Sequence, residues 1–330
     1  DAVALVDGSV FTFATANIGT GITITTTGFT LSGGDSGNYT LTQPTLAGNI
    51  TSKALTVTGF TGDNKQYDDT TTASASGTGV LSGVVGADAV ALVDGSVFTF
   101  ATANVGTGIT ITTTGFTLSG GDLANYTLTQ PTLSADITAK NLTITGVTGN
   151  NKVYDATTTV SAIGTASLVG VETGDDVTLG GSGVYTFATA NIGTAITITT
   201  SGYFISGGDS GNYTVSQPTL TADITAKALT VTGLTGDDKM YDGTTAATAS
   251  GTGVLSGVVG GDIVDFVDAS VFTFATANVG TGITISTTGY TLSGLDSGNY
   301  SLTQPTLAAD INGPSIAFTS TSSSASESVT

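Results

Sequence analysis

Six lysines are the only basic residues of this chain, and each recurs at one of two fixed places. Lys65, Lys152 and Lys239 stand in "DNKQYDDTTT" (63–72), "NNKVYDATTT" (150–159) and "DDKMYDGTTA" (237–246). A lysine three residues before an aspartate suits an ion pair across a tight turn, with the intervening tyrosine ring packed beside it. Lys65, Tyr67 and Asp68, then Lys152, Tyr154 and Asp155, then Lys239, Tyr241 and Asp242 thus read as a structural staple. An exposed pair of this kind is worth only about 0–1 kcal/mol. A sharper alternative is an isopeptide bond between a buried lysine and an asparagine, assisted by a carboxylate.

A second motif recurs as "SGGDSGNYT" (32–40), "SGGDLANYT" (119–127), "SGGDSGNYT" (206–214) and "SGLDSGNYS" (293–301). Glycine, aspartate and asparagine accept positive φ and cap their own turns, so the plain reading is a tight loop feeding a strand. The alternative is a weak calcium loop built from Asp35 and Asn38, Asp122 and Asn125, Asp209 and Asn212, or Asp296 and Asn299. It lacks the dense acidic spacing of an EF-hand loop. The Asn-Tyr-Thr/Ser triplet also matches a glycosylation sequon.

Other chemistry is excluded by composition. With no cysteine, histidine or tryptophan, the chain has no disulfide, no thiolate metal site and no histidine-based catalytic arrangement. Glu172 and Glu327 are the only glutamates, and neither belongs to a repeated motif. We therefore expect no enzyme activity and no cofactor, calcium excepted. A formal charge of −19 without arginine argues against nucleic acid and against acidic membrane surfaces.

These motifs are positioned by a tandem array. Tyr67, Tyr154 and Tyr241 are 87 residues apart (154 − 67 = 87; 241 − 154 = 87), and the other markers keep that step. Full copies run over 53–139, 140–226 and 227–313, preceded by a partial copy at 1–52 whose Asp1 aligns with Asp88. The partial copy has no counterpart of its siblings' opening residues. Either the chain is cut from a longer polypeptide or a neighbouring molecule supplies those strands. Residues 314–330 begin a different module or tail.

Within a copy, stretches such as "NLTITG" and "AITITTSGYFI" alternate apolar residues with threonine, and glycines punctuate. The pattern predicts an all-β chain of small antiparallel β-sandwich, Ig-like domains, with a β-grasp-like arrangement as the alternative. Each copy is long enough for its own core. Because "SADITAKNLTITG" passes from strand to strand with no flexible linker, the array should form a stiff, elongated rod.

Lys-x-Tyr-Asp-(Gly)-Thr-Thr after an "ALTVTG" strand, followed by "GNYTLTQPTL" and "ADI", resembles the YDG-type repeat of secreted bacterial adhesins related to filamentous haemagglutinins and other giant surface proteins. "ALTVTGLTGDDKMYDGTTAATASGTG" (228–253) matches best, while Asp69 and Ala156 replace the glycine elsewhere. The last 17 residues resemble the start of a Calx-beta domain. The resemblance implies an extracellular, cell-surface stalk or spacer of β architecture, without catalytic residues. Expected partners are neighbouring repeats of the same or an identical chain, with a surface glycan or host ligand reached through distal domains. The alternatives are a self-assembling filament subunit joined by strand complementation, and a multivalent glycan- or host-binding module.

Overall fold

A computed structural model describes residues 1–317. Most of the stretch likened to a Calx-beta domain lies outside the described residues. The described chain is all-β, and its helical residues are four three-residue 3-10 turns, at Ser36–Asn38, Leu123–Asn125, Ser210–Asn212 and Ser297–Asn299. None of its helices is long and apolar enough to cross a membrane.

The chain divides into two compact units. One holds Asp1–Leu142 with Gly170–Thr178 and Ile205–Thr214; the other holds Thr143–Val169, Leu179–Phe204 and the chain from Val215 onward. The middle copy is therefore shared between them.

In the first unit, the copy at 53–139 opens with the strand Lys53–Gly62. Leu55 and Val57 are buried while the threonines between and beside them are exposed, as period-two alternation requires. That strand pairs antiparallel with Ala75–Ser82 and parallel with Tyr126–Thr129. A second sheet has five strands, in the order Lys65–Gln66, Thr132–Thr138, Gly106–Thr114, Val97–Phe100, Thr72–Ala73. Its first pairing, Lys65 beside Ile137, is also parallel. Alternation tells which side chains face inward but not which strand lies alongside, so these two parallel pairings have no local signal. The two sheets approach closely at Gly62, where a Cβ would stand 2.8 Å from Ile111 Cδ1 and from the Ser134 carbonyl.

In the second unit, the copy at 227–313 repeats this arrangement, with Lys239–Met240 parallel to Thr306–Asn312 at the edge of its five-stranded sheet. Phe274, Ile285, Ala309 and Ile311 form its inner cluster. A second cluster joins Tyr154, Phe187, Ile198, Ala222 and Ile224 of the middle copy to Leu229 and Tyr300 of the next. The sequence reading gives each copy its own core, whereas here one core runs across the repeat boundary. Only four residues separate Ile224 from Leu229, so successive strands deliver both into the same cluster.

Candidate functional site at the repeat junctions

The lysine, tyrosine and aspartate of each Lys-x-Tyr-Asp stretch do two different jobs. Lys152 Nζ donates to Asp155 Oδ1 at 2.7 Å, to the Thr157 carbonyl at 2.6 Å and to Thr157 Oγ1 at 3.0 Å. Asp155 Oδ1 in turn accepts from Thr157 N at 2.9 Å and Thr157 Oγ1 at 2.8 Å, a side-chain-closed turn. Lys65 with Asp68 (2.6 Å) and Lys239 with Asp242 (2.8 Å) repeat the clamp. Each ammonium also lies over a buried ring, at 5.6 Å from Phe100, 5.8 Å from Phe187 and 5.6 Å from Phe274. Aspartate and threonine oxygens take up these ammoniums; asparagine, which the isopeptide alternative needs, is not among their hydrogen-bond partners.

Burial pushes the Asp155 carboxyl up, but hydrogen bonds from Lys152 and Thr157 outweigh it and hold the group below its ordinary value. For the more exposed Asp242 the Lys239 hydrogen bond dominates and brings the carboxyl down to about 2.

The residue after the aspartate is left-handed in all three copies: Asp69 at φ 57°, Ala156 at 62° and Gly243 at 78°. A Cβ is disfavoured there, which explains why one copy uses glycine. Ala156→Gly should raise stability by about 0.5–1 kcal/mol, read as an upward shift of the thermal unfolding midpoint. An unchanged or lower midpoint would mean that the loop tolerates the methyl without strain.

The hydroxyls of Tyr67 and Tyr154 reach beyond this clamp into the next copy. Tyr67 O–H donates to Asp175 Oδ2 at 2.9 Å, and Tyr213 O–H donates to the same oxygen at 2.6 Å. Glu172 N donates to the Tyr213 hydroxyl at 2.9 Å. The two rings meet edge-on at 5.3 Å, worth about 0.5–1.5 kcal/mol beyond the area they bury. Within the second unit the set recurs: Tyr154 to Asp262 at 2.9 Å, Tyr300 to Asp262 at 2.5 Å, Val259 N to the Tyr300 hydroxyl at 3.0 Å, and rings 5.3 Å apart. Tyr67 and Tyr154 are 3% and 4% exposed, whereas the equivalent Tyr241 is 48% exposed.

The aspartate–asparagine loops of the second motif contribute the other half of each junction. Asn212 Oδ1 accepts from Val105 N at 2.9 Å and its amide donates to Asn104 Oδ1 at 3.3 Å. Asn299 does the same to Ile192 (3.1 Å) and Asn191 (3.3 Å), and Asn125 to Ile18 (2.9 Å) and Asn17 (3.1 Å). Asn38 closes the 3-10 turn of the first copy through its backbone N–H to the Asp35 carbonyl. The aspartates tie these loops to a segment 33 residues earlier in the chain. Oδ2 of Asp35, Asp122, Asp209 and Asp296 accepts from the backbone N–H of Ala2, Ala89, Asp176 and Ile263, at 2.7 to 2.9 Å. Among the described residues no group of three or more acidic side chains that could hold a metal ion occurs.

Asp175 and Asp262, the acceptors at the centre of the junctions, are not among the sequence candidates. Their signal was present in the array, because an aspartate and a tyrosine recur with every period at 88 and 126, 175 and 213, and 262 and 300.

The junction tyrosines resist ionisation. Burial, then the hydrogen bond to aspartate, pushes Tyr154 and Tyr213 up to about 12, and moves Tyr67 and Tyr300 in the same direction. For Tyr126 the hydrogen bond to Asp88 comes first. A folded-state value raised above the ordinary 10.0 means that the contribution is complete below pH 10 and is lost as pH climbs toward about 12. In a tyrosinate absorbance titration, the junction tyrosines should therefore ionise together with loss of structure over that window. Free titration near pH 10 with the fold intact would contradict the buried hydrogen bonds.

A family model described as YDG domain matches residues 1–46, 51–133, 138–221 and 225–307. No curated protein and no solved structure matches the chain.

Proposed function

Because the chain belongs to the YDG domain family, we propose that it serves as spacer repeats of a large extracellular surface protein, a stalk whose work is done by its junctions. The observation that supports this most is that one junction is rebuilt from equivalent residues in the next: Tyr67, Asp175 and Tyr213 reappear as Tyr154, Asp262 and Tyr300. Every full copy carries a tyrosine donor on one side and an aspartate–tyrosine acceptor on the other. Copies can then be added or removed without new contact chemistry, as nearest-neighbour repeat arrays require. Side chains committed to neighbouring repeats suit a structural role rather than catalysis. The likeness to YDG-type repeats of secreted bacterial adhesins is what supports the extracellular setting.

In-frame removal of residues 140–226 tests the reading, since it should bring Tyr67 against Asp262 and Tyr300. The shortened chain should fold with an unchanged unfolding midpoint, and an antibody raised against the repeats should label intact producing cells. Misfolding of the shortened chain, or labelling of lysed cells alone, would sink the proposal.

A further inference from the structure

In the last copy a deeply buried tyrosine, Tyr290, lines an aromatic cleft with its hydroxyl unpartnered among the described residues. It is 4% exposed, and its hydrogen bonds are backbone ones, with the Gln304 side chain at 3.3 and 2.8 Å. A tyrosine buried to this extent ordinarily finds a partner for its hydroxyl. The sibling copies meet that demand in two ways. In the middle copy the equivalent Tyr203 shares a hydrogen bond of 2.7 Å with the Tyr185 hydroxyl. In the copy at 53–139 the equivalent is Phe116, which carries no hydroxyl (116 + 87 = 203; 203 + 87 = 290). The last copy has the tyrosine but holds Phe272 where Tyr185 stands.

The rings around Tyr290 are also rearranged. Phe60 packs against Phe98 and Phe116 at 5.7 and 5.4 Å, but its equivalent in the last copy is Leu234. A ring comes instead from Phe266, 5.4 Å from Tyr290, where the other full copies have Leu92 and Leu179. A cleft of about 480 Å³ is lined by Phe266, Phe272 and Tyr290, with Thr252, Asp268 and Ser270 among its walls. Asp268 Oδ1 accepts from Ser270 N at 3.0 Å, which fixes the carboxylate on its turn. The volume, and the mixture of apolar wall with a few polar groups, suit a small-molecule site.

The unmet demands of this cleft specify its ligand. The Tyr290 proton needs an acceptor, the Asp268 carboxylate takes a donor, and the hydroxyls of Thr252 and Ser270 serve as either. Three rings call for an apolar face. No basic side chain lines the cleft and the chain carries a formal charge of −19, both of which disfavour an anion. An alkylammonium ion only donates, so it would leave the Tyr290 proton unmet. We propose that the cleft binds a neutral saccharide, whose C–H faces lie against the rings and whose hydroxyls accept from Tyr290 and donate to Asp268. The site goes beyond the spacer reading and stands without it.

Saturation-transfer difference NMR on the intact chain tests it, with cellobiose, maltose, lactose and N,N′-diacetylchitobiose as probes and tetramethylammonium as the cationic control. At least one disaccharide should receive saturation and tetramethylammonium none. The bound disaccharide should shift the amide resonances of residues 251–253 and 268–272. Tyr290→Phe removes one oxygen and should weaken binding by about fivefold to tenfold, the scale of one hydrogen bond. The phenylalanine already present at 116 shows that the fold accepts this change, so a folding defect does not mimic the result. Leu234→Phe adds the ring of Phe60 beside Phe266 and should close the cleft and abolish binding. Silence of all four disaccharides would overturn the proposal. So would binding indifferent to Tyr290→Phe, or tetramethylammonium binding in place of the disaccharides, which would make the cleft a cation cage.

Discussion

Tyr154→Ala should lower the unfolding free energy by about 3–5 kcal/mol, the usual cost of deleting a fully buried aromatic ring, while Tyr241→Ala should stay within about 0.5 kcal/mol. Both tyrosines hold the same place in the same motif, two residues after a clamped lysine. They differ in what covers them. Tyr154 is packed with Phe187, Ile198 and Tyr300 in a buried cluster and donates to Asp262, whereas Tyr241 is half exposed. If the tyrosine served only the loop it sits in, the two substitutions would cost the same. Urea unfolding of both variants decides, and equal losses would place the tyrosine's role back in the local staple.

Asp262→Ala should rank next, at about 2–4 kcal/mol, because it strands two buried phenol hydroxyls that share one carboxylate oxygen. Asp262→Asn retains an oxygen acceptor and should recover most of that loss. Asp88→Ala removes an acceptor for which the structure shows one tyrosine donor, Tyr126, so it should cost about half as much. The order Asp262→Ala, Asp88→Ala, Asp262→Asn in midpoint loss is the expected result. Equal losses at Asp262 and Asp88 would mean that the tyrosine arriving from the preceding copy adds nothing.

The all-β class, the 87-residue period and the lysine clamp were legible in the sequence. The clamp is a local object: Lys152 and Asp155 are three residues apart, so the turn between them brings the charges together whatever the rest of the chain does. The left-handed position after the aspartate is local in the same sense, and the glycine at 243 advertises it. Alternation likewise marked the apolar positions of "NLTITG" as inward-facing, and Leu142 there is fully buried, as are its equivalents Leu55 and Leu229.

What only the tertiary structure decided is where the tyrosine goes. Sequence proximity favours a partner within the copy, since Asp175 lies 21 residues after Tyr154 (175 − 154 = 21). Tyr154 passes it over for Asp262, 108 residues away, while Asp175 receives Tyr67 of the preceding copy at that same separation. The strand pattern states that a side chain is buried but not whether its own copy or a neighbouring one buries it. That choice, like the two parallel pairings and the core shared across the repeat boundary, is set by how sheets of successive copies pack, a contact free energy that no short window of sequence contains.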